Sequence, residues 1–214
     1  MTPPRQIFFL VTALLLLIVV GWLVYSRTRV PKSGSEALNW AIEFQKVGRY
    51  DEGVEVLQTW LKGSNRDTSH DGFLYQQIAM MYIAKAYAKP TTRDQSIADA
   101  ELNLEKSLDF LNNEKKQNGG LDSMVLEGVG GAYQVLGDMT DKSKCRYYEK
   151  ARQALVRDLP LIHGDSYTAY GTTVPLEPVR AESRKQLDGV NEKYSKSGCR
   201  ADGENQPNDP YPAH

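Results

Sequence analysis

Apolar residues return every three to four positions along most of this chain, in segments that come in pairs separated by short polar breaks. That spacing is the period of a helix with one buried face. In the first segment Ala37, Trp40, Ala41, Phe44 and Val47 share a face. Ser33-Gly34-Ser35-Glu36 ahead of it has the spacing of a capping box, and Gly48-Arg49 closes it. In the second, Gly53, Leu57, Trp60 and Leu61 share a face that ends at Gly63, and residues 64–72 read as a loop. The pattern then repeats. Tyr75, Ile78, Ala79, Tyr82, Ile83 and Ala86 form one face, and Lys89-Pro90-Thr91 breaks it. Thr92-Arg93-Asp94-Gln95, a second capping box, opens a helix with Ile97, Ala100, Leu104, Leu108 and Leu111 inward. Residues 112–120, ending in Gly119-Gly120, read as a loop. In a third pair Leu126, Val129, Gly130, Tyr133 and Leu136 share a face, Gly137-Asp138 turns the chain, and Tyr148, Ala151 and Leu155 lie on the next helix.

Three helix pairs of similar length make an internal repeat. One pair cannot bury its apolar stripe alone, whereas three stacked pairs enclose a continuous core. The stretch Gly48-Arg49-Tyr50-Asp51-Glu52-Gly53-Val54-Glu55-Val56-Leu57 with Thr59-Trp60-Leu61 resembles the second half of a tetratricopeptide repeat. Trp40-Ala41 followed by Phe44 resembles its first half. Ile78-Ala79-Met80-Met81-Tyr82 and Val129-Gly130-Gly131-Ala132-Tyr133 resemble the same first half in later copies, and Tyr147-Tyr148-Glu149-Lys150-Ala151 resembles a second half. The physics of such a pattern is close crossing. Small residues (Ala41, Gly53, Ala79, Ala100, Gly130) sit where helices approach. Large ones (Phe44, Leu57, Tyr82, Leu104, Tyr133, Tyr148) fill the gaps beside them. The resemblance covers about residues 35–155. It departs from the family pattern in an extra stretch of about nine residues around 84–94, and in Lys144 where a small residue is expected. A plain helical bundle is the alternative.

Beyond Leu155 the regularity lapses. Residues 160–175, rich in Gly, Thr and Pro, read as a loop. Pro178 suits a first helical turn, and Val179, Ser183, Leu187, Val190 and Tyr194 line one side of a final helix. Its other side carries Arg180, Glu182, Arg184, Lys185 and Glu192, the polar face a terminal capping helix needs. The tail from Ser197, with Pro207, Pro210 and Pro212, reads as disordered.

Ahead of the repeats, residues 7–25 form an apolar run of about nineteen residues without a charge, roughly the length that crosses a hydrocarbon core. A cleaved signal peptide is the alternative, disfavoured by the length and by the lack of an A-x-A site. Trp22 and Tyr25 at its end favour a membrane interface. The expected fold class is therefore all-α: an N-terminal transmembrane helix, then a tetratricopeptide-like antiparallel helix-pair solenoid of about three degenerate repeats with a C-terminal capping helix. The divisions are 1–6, a short tail; 7–26, the span in the lipid bilayer; 27–34, a linker; 35–196, the helical domain; and 197–214, the tail.

The 214 residues carry a net charge of −1, with 25% charged. No basic surplus favours nucleic acid. The histidines are His70, His163 and His214, and none has a partner at metal-ligand spacing. His163-Gly164-Asp165-Ser166 is adjacent in sequence, whereas a triad converges in space. Gly128-Val129-Gly130-Gly131 lacks the preceding strand and the spacing of a nucleotide-binding turn. No catalytic residue, metal or cofactor is expected.

Cys145 and Cys199 are the only cysteines. A bridge between them would staple the capping helix onto the array and close a loop of roughly fifty-five residues; two unrelated thiols are the alternative. The even count on a tethered domain tips the expectation towards an exported, oxidising location, the cytoplasmic side remaining open.

What remains is a surface. The resemblance implies a groove lined by the first helix of each pair, receiving a peptide or partner protein. The residues turned outward on the periodic reading are Leu38, Ile42 and Gln45, then Gln76, Met80 and Ile83, then Glu127, Gln134 and Val135. Packing of some of them on the capping helix is the competing reading. Mixed apolar and amide groups with a methionine suit an adaptable helix or extended segment. The expected function is a membrane-tethered binding module or adaptor attending secretion, folding or complex assembly. The alternative is a self-associating structural subunit.

Overall fold

A computed structural model describes residues 30–64, 67–113, 119–162, 164–169 and 172–199. Helix α1 (Gly34–Lys46) starts at Ser33, whose hydroxyl accepts from the Glu36 amide at 3.1 Å. The Glu36 carboxylate reaches back one residue further than in a standard box and takes the Lys32 amide at 2.8 Å. Replacing Ser33 by Ala should cost about 1 kcal/mol of stability, read by urea unfolding. The helix ends in a Schellman turn. Gly48, at φ 74°, donates to Gln45 O, and Arg49 donates to Phe44 O at 2.9 Å. Helix α2 (Tyr50–Leu61) then runs back along α1. The second and third hairpins are α3 (Asp71–Ala88) with α4 (Arg93–Asn113), and α5 (Gly119–Met139) with α6 (Lys144–Asp158). Each pair is antiparallel by its contacts: Gly34 lies by Trp60, the Ser107 hydroxyl donates to Gly72 O at 2.7 Å, and Ser123 donates to Asp158.

Local details depart from the periodic reading. Thr92 does not cap α4. It closes a 3-10 turn, Pro90–Thr92, with its hydroxyl on Lys89 O, while Gln95 bonds Asp99. The extra residues around 84–94 are absorbed by α3 running on to Ala88 and by that turn. Gly119 and Gly120 lie in the first turn of α5 rather than in a loop. Gly137 and Asp138 are helical, and the chain turns only after Met139. Residues 160–175 are not a plain loop. After a 3-10 turn, Leu159–Leu161, strands β1 (Ser166–Ala169) and β2 (Thr172–Pro175) pair antiparallel, Ser166 opposite Pro175 and Ala169 opposite Thr172. The β-branched run Thr172-Thr173-Val174 suits a strand, so the loop expected at 160–175 is corrected to a short hairpin within an otherwise helical fold. Helix α7 (Leu176–Lys196) follows, with Pro178 in its first turn, and ends in a second Schellman turn. There Gly198 at φ 74° donates to Ser195 O, and Cys199 donates to Tyr194 O.

Two apolar clusters form the interior. The smaller joins α1, α2 and one side of α3 through Ala37, Ala41, Val54, Leu57, Leu74, Ile78 and Met81. The larger joins the other side of α3 to α4, α5, α6 and α7, centred on Ala79, Leu104, Leu126, Val129, Tyr133, Leu136, Ala151, Leu155 and Val190. Helix α3 is apolar on two sides because it serves both layers. Close approach needs small residues. A Cβ on Gly53 would lie 3.0 Å from Ala41 O, one on Gly130 2.6 Å from Leu155 Cγ, and one on Gly137 2.5 Å from the Tyr148 ring.

No helix among the described residues is long and apolar enough to cross a membrane. The 21-residue helices have the length but carry charges, such as Asp122, Glu127 and Asp138 in α5. The expectations of a transmembrane helix at 7–26, a single-pass membrane protein and an exported domain built on it are corrected accordingly. Residues 7–26 themselves, and the tail beyond Cys199, lie outside the described residues.

Candidate functional site

The first helices of the three pairs, α1, α3 and α5, each keep one face out of the core. On α5 that face holds Met124, Gly131 and Val135, spaced seven and four residues apart and so stacked along one side. Glu127 and Gln134 flank them. Met124 is 50% exposed, and a Cβ on Gly131 would meet open space. On α3 the outer face holds Phe73, Gln77, Met80, Ala84 and Tyr87; Phe73 and Met80 are half-buried against the larger core, whereas Tyr87 is 62% exposed. On α1 Leu38, Ile42 and Gln45 are half-buried, and Leu38 and Ile42 belong to neither apolar cluster.

This placement corrects two of the residues expected in the groove. Gln76 and Ile83 are buried. Ile83 is part of the larger core, and the Gln76 side chain packs on α5 over Gly128, where only the missing Cβ leaves it room. Both lie on the flank of α3 that α5 covers, about 40° (Gln76) and about 60° (Ile83) round the helix from Met80. Met80 and Val135 are half-buried and lean on the core; Gln134 is half-buried. Glu127 accepts from Gln186 of α7 at 3.2 Å, so the capping helix does cover that end of the face. Burial holds the Glu127 carboxyl above its ordinary range, and the charges of Asp158 and Glu182 push the same way. Gln77, Ala84, Tyr87 and Met124 were missed. The three-and-four step from Met80 and Val135 points to each of them.

The opposite side is polar. Between α4 and α6, Glu101 takes Arg146 at 2.9 Å, Lys150 at 2.7 Å and the Tyr147 hydroxyl at 2.8 Å, while Lys150 also reaches Glu105 at 2.8 Å. Burial pushes the Glu101 carboxyl up, but the hydrogen bonds from Lys150 and Tyr147 and the two cationic charges outweigh it and hold it below its ordinary range. Next to this network an open cleft of about 370 Å³ is lined by Glu105, Leu108, Asn112, Tyr133, Lys150, Gln153, Ala154 and Arg157. Its charges are already committed, Lys150 to the two glutamates and Arg157 to Asn112 at 2.6 Å. It is a tie between layers.

Cys145 and Cys199 are joined in a disulfide, with Cα atoms 5.4 Å apart. The bridge binds the C-terminal end of α7 to the first turn of α6. His70 meets Ser69 at 2.8 Å in the loop before α3; His163 and His214 lie outside the described residues. The Gly128-Val129-Gly130-Gly131 run lies inside α5, with Gly130 under Leu155. Among the described residues no group of His, Cys, Asp or Glu is arranged to hold a metal ion. Compared with family models, with curated proteins and with solved structures, the chain matches none.

Proposed function

We propose that this chain is a non-enzymatic protein-interaction module, a tetratricopeptide-like stack whose α1–α3–α5 face receives a segment of a partner protein. The observation that carries this reading is the uncovered strip on α5 and α3. Met124 and Tyr87 stand exposed, Gly131 leaves open space, and Met80, Ala84 and Val135 lie between them. Tyr87 and Met124 lie outside either core, as interface anchors usually do, while Met80 and Val135 rest partly on the larger one; methionine adapts to the shape of what it meets. Ionic groups flank the strip rather than fill it, which suits a helical or extended segment with apolar anchors.

Changing Ile42, Met80 and Met124 together to Ser should weaken partner binding by about 1 kcal/mol or more for each true anchor. It should leave most of the melting transition in place, because none of the three is fully buried. A photo-crosslinker at Gln134, beside the strip, reports the occupant. The adduct should disappear in the triple variant, whereas a crosslinker at Val156 of α6 should be indifferent to it. Binding per folded molecule that is unchanged in the triple variant overturns the proposal. An adduct of two copies of this chain, with a mass that rises with concentration, would assign the face to self-association instead.

A further inference from the structure

The N-terminal half of α7 buries Leu176 and packs Leu187 on the larger core, but the centre of its contact, unlike that of the rest of the helix, is polar. Towards its C-terminal end α7 places Val190 and Tyr194 in the larger core, and the disulfide follows. Towards its start the residue at the centre of the contact is Ser183, fully buried, and beneath it lies the carboxyl of Asp158, also 0% exposed. Asp158 is the last residue of α6. One of its oxygens accepts from Ser123 of α5 at 2.5 Å. The other, Oδ2, makes no well-formed hydrogen bond, and neither do Ser183 Oγ or Gln186 Oε1.

We infer that Asp158 is a proton-dependent latch: the N-terminal half of α7, residues 176–187, seats on α5 and α6 while Asp158 is neutral and lifts when it ionises, the disulfide keeping the far end of the helix in place. A buried carboxylate needs either a cation or several donors. Asp158 has one donor of good geometry and is in no ion pair among the described residues. The charges brought to this end by the elements around it are mostly of its own sign. Helix α5 contributes Asp122 and Glu127. Helix α7 contributes Glu182 and Arg180, and the guanidinium of Arg180 is spent on Ile162 O, Gly164 O and Glu177. The turn Leu159–Leu161 contributes none, and Arg157 on α6 itself is turned to Asn112. Burial raises the Asp158 carboxyl above its ordinary value, with the Ser123 and Ser183 hydroxyls opposing that rise in part.

With its folded pKa above the unfolded one, the group is neutral in both states at low pH. As pH rises past the ordinary aspartate value near 4, the open state releases its proton and the seated state does not. The seated state is therefore favoured in acid and loses ground as pH climbs towards the raised value, by up to about tenfold in the opening equilibrium per pH unit. What lifts includes the β1–β2 hairpin, since the Leu176 amide is bonded to Asp165 O at 3.0 Å.

Hydrogen exchange of the full oxidised chain between pH 4 and 8, corrected for intrinsic rates, tests the latch. Protection of 176–187 should fall with rising pH while that of α5 and the first turns of α6 holds. Asp158→Asn should remove the larger part of the pH dependence of 176–187; Glu127, also raised by burial and bonded to Gln186 of α7, accounts for the rest, so Glu127→Gln should remove the smaller part. A flat wild-type profile overturns the latch, as does a pH dependence that is undiminished in Asp158→Asn or that Glu127→Gln reduces more than Asp158→Asn does. Should Asp158→Asn not fold, the Asp158 carboxyl carbon followed by NMR in the wild type decides. Titration at the ordinary aspartate pH overturns the latch, and a resonance that stays neutral beyond it supports the latch.

Discussion

Replacing Cys145 and Cys199 together by Ser should lower the unfolding free energy by about 4 kcal/mol, the loop-closure entropy restored to an unfolded chain once its 54-residue crosslink is gone. Reducing the wild-type bridge should have nearly the same effect, which separates the crosslink from the packing of the Cys199 side chain against the larger core. The loss should not be spread evenly. Helix α7 meets the rest of the protein mainly through α6, with Val190 and Tyr194 in the larger core and, around them, Arg152 on Asn191 at 2.8 Å and on the Tyr194 ring, and Lys193 on Asp138 of α5. Those exposed polar contacts are each worth little. Without the bridge, amides of 176–196 should exchange first, and denaturant unfolding should broaden or split. A reduced protein that unfolds at the same urea concentration as the oxidised one would show that the crosslink constrains nothing the fold does not already hold.

Leu155→Ala should cost about 2–5 kcal/mol, and it should reverse the sign of a second substitution. Leu155 is fully buried on α6 and sits directly over Gly130 of α5. In the wild type a methyl at position 130 would lie 2.6 Å from Leu155 Cγ and 2.9 Å from Cδ2. Crowding of that kind costs about 1–3 kcal/mol, and the better helix propensity of Ala returns about 1 kcal/mol of it. Gly130→Ala alone should therefore be destabilising by up to about 2 kcal/mol. With Leu155 already reduced to Ala, the same methyl enters the vacated space and should stabilise by about 1 kcal/mol. Urea unfolding of the four proteins in this cycle measures both values. Strict additivity would mean that α5 and α6 do not meet at this pair.

The helices were legible because their signals are local. Ser33 with Glu36, Gly48 before Arg49, and Ser197-Gly198 each act through bonds within a few residues, and each ends or starts a helix where the periodic stripe does. The same local rules failed where two of them competed. Thr92 and Gln95 have the spacing of a cap, but Pro90 favours a 3-10 turn that takes the Thr92 hydroxyl first. Gly137 reads as a turn residue, yet it is helical, and it is glycine because the Tyr148 ring occupies the space a side chain would need. The β1–β2 hairpin carries too short a pattern to stand out beside Gly and Pro.

By itself the sequence determined the number of helical segments, their pairing by short breaks and the small residues at the crossings, and it left open whether the two cysteines are joined. Only the tertiary structure decided which flank of α3 is free. Periodicity gives the angle of an apolar stripe on one helix, but α3 is apolar on two sides, and its own residues do not say which neighbour lies against which side. The approach of α5 buries Gln76 and Ile83 and leaves Met80 and Tyr87 outward. The burial of Asp158 is decided in the same way. On its own helix it is an ordinary C-terminal carboxylate, and it is deprived of water only because Ser123 comes from α5 and Ser183 from α7 to close over it. Such contacts join residues far apart in the chain, so their energies depend on how helices stack, a quantity no short window of sequence contains.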